Sequence, residues 1–274
     1  MAYARTRLGR MFYEERGGLK NQGDATIVLC HGLLFDGGMW TQQIAPLMAL
    51  GRVVVLDGPG HGKTESPPRF TLEDHADALH DVFGELKIDR AVLIGHSWGG
   101  MVAMRMALQH PAEVAAMALV DTSAEVDGVL LRAKYRLLAA FERRYGLPFA
   151  LVRVEIAHLM FGARTLRERP DLLREFTRTV NGYPRDGVAR AALAVLVKST
   201  PVLHRLGAVT APTLVVCGRQ DRATIPARSE AIAARITGSK LAWIEESGHM
   251  SPIERPEAFN ALIAPFVREN LARG

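Results

Sequence analysis

The stretch RAVLIGHSWGGMVAMRMALQHP, Arg90–Pro111, decides how this chain folds. Arg90–Ile94 reads as a short buried strand, and the residues from Trp98 onward carry helical periodicity. Between them stands GHSWGG, Gly95–Gly100. That is G-x-S-x-G in a strand-turn-helix setting. The spacing has a steric cause: Ser97 must occupy a strained turn that points its hydroxyl out of the sheet. Glycines on either side let neighbouring backbone pass that close. A bare G-x-S-x-G match is weak and fits any glycine-rich turn. Its placement between strand and helix makes it specific.

The same alternation extends outward from this turn. ATIVLCHG precedes WTQQIAPLMAL, RVVVLDG precedes TLEDHADALHDVFGELK, and VAAMALVDTS follows the Ser97 helix. Leu72, Ala76, Leu79, Phe83 and Leu86 recur at helical spacing, with Thr71 and Asp74 placed as a capping box. The strands are nearly all apolar, as parallel strands covered on both faces must be. From about Ala124 to Leu206 the sequence reads as helices without a strand. The pattern then resumes at PTLVVCG, PARSEAIAARI, KLAWIEE and PEAFNALIAPFVRENLA. The expected fold is α/β, a doubly wound and mostly parallel sheet. Residues 1–123 and 207–274 form its core, and 124–206 form an inserted helical cap over one edge. No internal repeat or low-complexity segment is visible.

Composition narrows the class. The chain has 274 residues, 48% apolar and 23% charged, in the ordinary range for a globule with a sizeable core. Its net charge of +5 comes from 34 Lys and Arg against 29 Asp and Glu, with no basic tail. Without a groove-reading motif, this argues against a nucleic-acid partner. Cys30 and Cys217 each end an apolar run, which reads as two buried free thiols. The opening residues lack the apolar core of a secretory signal, and no apolar run reaches the ~18 residues of a membrane helix. A cytoplasmic protein with no membrane partner is expected.

LDGPGHGKTES, Leu56–Ser66, raises a rival reading, because Gly62-Lys63-Thr64 looks like the end of a phosphate loop. The required glycine five residues before Gly62 is Asp57, and Pro67-Pro68 would break the helix that a phosphate needs. Nucleotide binding is rejected.

A serine hydroxyl needs a base, and the base needs orienting. In this fold the partners follow in the order acid, then histidine. VVCGRQD puts Asp221 just past a later strand, and WIEESGHMSP puts His249 just past the next. Ser97, Asp221 and His249 thus all fall in loops at the carboxyl ends of strands, where ligands bind in open α/β sheets. Asp121, in ALVDTS, also ends a strand and is a rival acid; Asp221 is preferred. An oxyanion hole needs two N–H donors. Trp98, next after the serine, supplies one. Leu33 in the loop HGLL supplies the other, with Leu34 the second choice.

These segments together resemble the α/β-hydrolase-fold serine hydrolases over nearly the full chain. LCHGLLFDGGMW is similar to the family's His-Gly oxyanion loop, and LDGPGHGKTES to its Asp-x-x-Gly-His-Gly turn. In that turn Lys63 and Thr64 are incidental, and Asp57 and His61 are structural. GHSWGG, GRQD and SGHMSPIERPEAF complete the resemblance. It implies an acyl-enzyme mechanism on a small ester or lactone, in the esterase, enol-lactonase and non-haem haloperoxidase branch, without metal or organic cofactor. An anionic substrate would suit an arginine-rich cap. Leu34, Phe35, Trp98 and Met250 are candidate substrate contacts, and Phe141, Phe149, Met160 and Phe161 of the insertion share that role with core packing. His61, His75, His80, His110, His158 and His204 lack metal-ligand spacing. Alternatives that stay open are carbon–carbon-bond hydrolysis or perhydrolysis on the same triad, and a receptor on the same fold that binds a small molecule without turnover. His96, where carbon–carbon hydrolases tend to have asparagine, argues against carbon–carbon-bond hydrolysis. Oligomeric state leaves no signal in the sequence.

Overall fold

A computed structural model describes residues 2–18, 24–148 and 150–271. Phe149 therefore lies outside the described residues. The strands are β1 (Ala2–Thr6), β2 (Gly9–Arg16), β3 (Thr26–Cys30), β4 (Val53–Leu56), β5 (Ala91–His96), β6 (Val114–Val120), β7 (Thr213–Gly218) and β8 (Lys240–Ile244). They form one sheet in the order β1-β2-β4-β3-β5-β6-β7-β8. From β4 to β8 every pairing is parallel, while β1 with β2 and β2 with β4 pair antiparallel. This is the mostly parallel, doubly wound α/β sheet that the alternation predicts.

Helices α1 (Thr41–Met48), α2 (Leu72–Leu86) and α3 (Trp98–Gln109) connect the first strands. Between β6 and β7 run α4 (Val129–Tyr145), α5 (Ala157–Met160), α6 (Ala163–Glu168), α7 (Pro170–Gly182) and α8 (Arg185–Ala192). The last are α9 (Pro226–Arg235), α10 (Ser251–Glu254) and α11 (Pro256–Leu271). Successive strand residues serve opposite faces. Val28, Leu93 and Met117 join a core with residues of α2, α3 and α9. Ile27, Leu29, Val92 and Ile94 join a second core with residues of α1 and α11. Each such side chain contributes about 1.5–3 kcal/mol by leaving water, which is why the central strands are apolar throughout. The Thr71–Asp74 capping box is present at the start of α2.

Strands β1 and β2 were not foreseen. The hairpin β1–β2 is polar along much of its length, and Ala4, Met11 and Phe12 are its buried residues. An edge hairpin with so short an apolar signal is hard to distinguish from a loop. The segment between β6 and β7 is all helical, and its two ends meet: the Val202 and Leu203 N–H groups both donate to the Ala124 carbonyl, at 2.8 and 3.1 Å. Among the described residues no helix is long and apolar enough to cross a membrane.

The sheet order reverses direction at β3, whose neighbours β4 and β5 lie on opposite sides. The crevice beyond the carboxyl ends of β3 and β5 is therefore the topological switch point. It puts the loop after Cys30 beside the turn at Ser97.

Candidate active site

Ser97 sits between β5 and α3 at φ +49°, ψ −111°, a conformation that side chains rarely adopt. Its N–H donates to the Val120 carbonyl at 2.8 Å, which ties the turn to the end of β6. A side chain on Gly99 would collide with the Cys30 carbonyl, and one on Gly95 with the Gly99 carbonyl. The spacing G-x-S-x-G thus follows from helix α3 starting in backbone contact with β3.

The loop after β3 abuts this turn. A side chain on Gly32 would meet the His96 ring and, at 3.2 Å, the Cβ of Ser97. Leu34 is held at φ +69°, and its N–H donates to His61 Nε2 at 3.2 Å. Among the described residues the Leu33 and Trp98 N–H groups donate to no protein group. Of the two donors weighed after β3, Leu34 is thus occupied and Leu33 is free. Burial, and then the charge of His31, drive the His61 pKa down to about 3, so the ring is a neutral acceptor.

Asp221 and His249 meet. His249 Nδ1 donates to Asp221 Oδ2 at 2.9 Å, and both residues are buried. The other acceptor sites of Asp221 are filled by the Ala223 and Thr224 N–H groups, at 2.8 and 2.9 Å, and by Thr224 Oγ1 at 2.8 Å. With its Nδ1 proton committed, His249 presents the lone pair of Nε2. Burial disfavours its imidazolium, but Asp221, with Asp121 and Glu254 beyond, more than offsets this, so its pKa is raised above 6.5. The Ser97 hydroxyl makes no hydrogen bond to another described residue; such contacts commonly tighten only when substrate is bound.

Asp121 takes a different place. Its Oδ1 accepts from the Gly218 N–H at 2.8 Å, and its Oδ2 from the Ser251 N–H and hydroxyl at 3.1 and 2.6 Å. It makes no hydrogen bond to His249. Burial, and then the charge of Asp221, push its carboxyl well above the usual carboxylate range.

Several residues that hold the site were not read in that role from the sequence. His96 Nε2 donates to the His249 carbonyl at 2.7 Å, and the Met160 carbonyl accepts the His249 N–H at 2.8 Å. Burial, and then His249, hold the His96 pKa well below normal, so the ring is neutral. Glu254 is the clearest omission. Its Oε1 accepts from Gly248 N at 2.8 Å, Ser247 Oγ at 3.2 Å and Met250 N at 3.3 Å. Its Oε2 accepts from Gly162 N at 2.8 Å, so one buried carboxylate joins the His249 loop to the turn between α5 and α6. The signal lay inside SGHMSPIERPEAF, but nothing local shows that four donors converge there. Replacing Glu254 with Gln should cost about 1–3 kcal/mol, because an amide N–H₂ would face buried donors and leave them unsatisfied. Denaturant melts of the two proteins check this; equal midpoints would refute it.

The residues expected to touch substrate divide. Leu34 is half-buried, whereas Phe35 and Met250 are buried in the core on the α1 and α11 face, Phe35 stacked on Phe176 at 5.3 Å. Met160 and Phe161 join the same core, and Phe141 is exposed. His31, His61 and His75 pack around Trp98. Lys63 and Thr64 are occupied internally: the Lys63 ammonium lies 4.4 Å from the Phe12 ring centroid, and Thr64 Oγ1 donates to the Asp57 carbonyl.

Donor atoms of His80, His110 and Glu113 lie within 4.8 Å of one another. The two rings stack at 4.3 Å and 3°, so their in-plane lone pairs run parallel and do not converge on one ion. A cleft of about 630 Å³ near Asp36, Asp57, Lys63 and Tyr183 is not lined by Ser97 or His249. Chemistry, rather than cleft size, places the candidate site at Ser97.

Comparison with known proteins agrees with this fold. Residues 27–262 match the alpha/beta hydrolase family. The chain is 27% identical over 245 residues to 3-oxoadipate enol-lactonase 1 of Acinetobacter baylyi, covering 88% of each. In structure it is similar to a thermophilic esterase from Thermogutta terrifontis, with a TM-score of 0.90, 29% identity and 98% of each chain covered. It is also similar to the enol-lactonase from Burkholderia xenovorans, with a TM-score of 0.88, 26% identity and coverage of 97% of this chain and 99% of that one.

Proposed function

We propose that this chain, which belongs to the alpha/beta hydrolase family, is a serine hydrolase that opens a carboxylic ester or lactone through an acyl-enzyme. The observation that carries the reading is the Asp221–His249 pair at 2.9 Å, set with a strained Ser97 and two unused N–H groups at the switch point of the sheet. A lactonase and an esterase among its relatives support the substrate class.

In this reading His249 Nε2 accepts the Ser97 proton as Oγ attacks the carbonyl carbon. Asp221 keeps the Nδ1 proton in place and stabilises the imidazolium. The Leu33 and Trp98 N–H groups receive the oxyanion. His249 then gives its proton to the leaving oxygen, and water repeats the sequence on the acyl-enzyme. Residues 124–206 form the cap. They touch the chemistry through Met160, whose carbonyl holds His249, and through Tyr183, whose hydroxyl donates to Asp36 Oδ2 at 2.9 Å just beyond the oxyanion loop. A cap clamped at both places favours small or medium substrates over polymers.

The test is hydrolysis of p-nitrophenyl esters from acetate to decanoate, beside a set of small lactones. Turnover with a short to medium optimum is expected. Stoichiometric binding of such compounds without turnover would replace the enzyme by a receptor.

Catalysis in this reading requires neutral His249. Its pKa is raised, so the imidazole is protonated below a midpoint that lies above the ordinary 6.5. The value of kcat/KM should therefore fall tenfold per pH unit on the acid side of that midpoint. A pH profile flat from 5 to 8 would remove His249 as the base.

A further inference from the structure

Helix α4 and helix α8 wall a cleft of about 280 Å³ that the proposed chemistry does not use. Arg136, Arg143 and Arg190 stand around it, over a floor that includes Ala139, Ala189 and Leu193. Arg190 is fixed there: Nη2 donates to Asp186 Oδ2 at 3.0 Å and Nη1 to the Ser66 carbonyl at 3.1 Å. The guanidinium groups of Arg136 and Arg143 have no carboxylate, carbonyl or ring partner among the described residues.

The surroundings make this an unusual concentration of charge. Residues 124–206 hold 15 Lys and Arg against 8 Asp and Glu, a net +7, whereas the rest of the chain holds 19 against 21, a net −2. Solvated arginines alone make no site, since exposed basic helices are common. Here three arginines line one concavity, two of them without a carboxylate, carbonyl or ring partner among the described residues, and the floor is methyl groups. Guanidinium forks match carboxylate and phosphate oxygens in bidentate fashion. A floor of alanine and leucine offers nothing to a bare inorganic anion but does accept an apolar chain. Ala140 also lines the cleft, and Leu137, one turn back on α4, is 73% exposed.

We propose that this cleft binds an organic anion: a phosphate or carboxylate head on an apolar chain. The head lies among Arg136, Arg143 and Arg190, and the chain runs over Ala140 toward Leu137. The proposal does not depend on Ser97 chemistry, because binding is read without turnover.

The probes are hexyl phosphate and inorganic phosphate, titrated calorimetrically at low ionic strength. Three proteins are compared: wild type, Arg136→Ala/Arg143→Ala, and Lys134→Ala/Arg144→Ala. The last removes the same charge from α4 outside the cleft, and all four side chains are exposed, so the fold should survive each change. Hexyl phosphate should bind wild type and weaken at least about tenfold in the cleft variant, with a change under about twofold in the control. Inorganic phosphate should bind wild type at least about tenfold more weakly than hexyl phosphate. Absence of hexyl phosphate binding, or equal weakening in the control, would overturn the site, the latter by showing a diffuse charge effect. Equal affinity for inorganic phosphate would overturn the amphiphile. Sedimentation with phosphatidylglycerol-containing vesicles then separates the sources. Retention lost in the cleft variant assigns the anion to a lipid headgroup, and no retention assigns it to a soluble amphiphile.

Discussion

Ser97→Ala should lower ester hydrolysis by about 10⁵-fold or more, with the protein folded and its melting point little changed. The exchange deletes one oxygen. Serine already places a Cβ at φ +49°, so alanine adds no new strain to the turn, and the Trp98 N–H stays where it is. What disappears is the atom that forms the acyl-enzyme. A loss of that size corresponds to about 7 kcal/mol in the barrier, far more than any surface contact supplies. The residual rate would come from the Leu33 and Trp98 donors and from substrate placement, which act without a nucleophile. Rapid mixing with p-nitrophenyl butyrate followed by mass spectrometry reads the same point directly. Wild type should gain the mass of one butyryl group, and Ser97→Ala should gain none. A variant within tenfold of wild type would mean that the hydrolysis, if any, does not use this serine.

The sequence disclosed those parts of this arrangement whose causes are local. Apolar strand runs, the capping box of α2 and the glycines around Ser97 each record a constraint exerted by near neighbours, so the central fold and the strained turn were readable. The order of Ser97, Asp221 and His249 along the chain was readable because each follows a strand, and strand ends gather on one rim of a parallel sheet. What was hidden depends on contacts between distant segments. Which of Leu33 and Leu34 keeps a free N–H depends on His61, 27 residues away. Phe35 and Met250 are apolar residues beside the site, and composition cannot tell a pocket wall from the core into which both are buried. Met160 holds His249 through a carbonyl, a group that every residue possesses and that leaves no mark in the sequence. Glu254 could be seen as a carboxylate after the histidine, but three of its donors reach it only because residues 247–250 fold back on it, and the fourth, Gly162, is 92 residues away.

The two strand-end aspartates should separate by about three orders of magnitude. Asp221→Asn is expected to lower kcat by about 10⁴-fold, while Asp121→Asn stays within about tenfold of wild type. The reason lies in which atom faces His249. Asp221 Oδ2 accepts the Nδ1 proton at 2.9 Å, and three further donors, two from backbone and one from Thr224, lock that carboxylate in place. Because Oδ1 receives two N–H groups, an asparagine must turn its carbonyl oxygen toward them and its N–H₂ toward His249. The ring would then carry its proton on Nε2, and a protonated Nε2 cannot take the proton of Ser97. Asp121 faces three donors on the Gly218 and Ser251 segments and none on the imidazole. Its asparagine variant should lose about 1–3 kcal/mol of stability through one misdirected N–H₂ group, and should keep the tautomer of His249. Steady-state rates for both variants, each with a denaturation midpoint, decide the matter. Inactive but stable Asp121→Asn beside active Asp221→Asn would move the acid to the end of β6, and the 2.9 Å pair would then be a structural contact of the His249 loop.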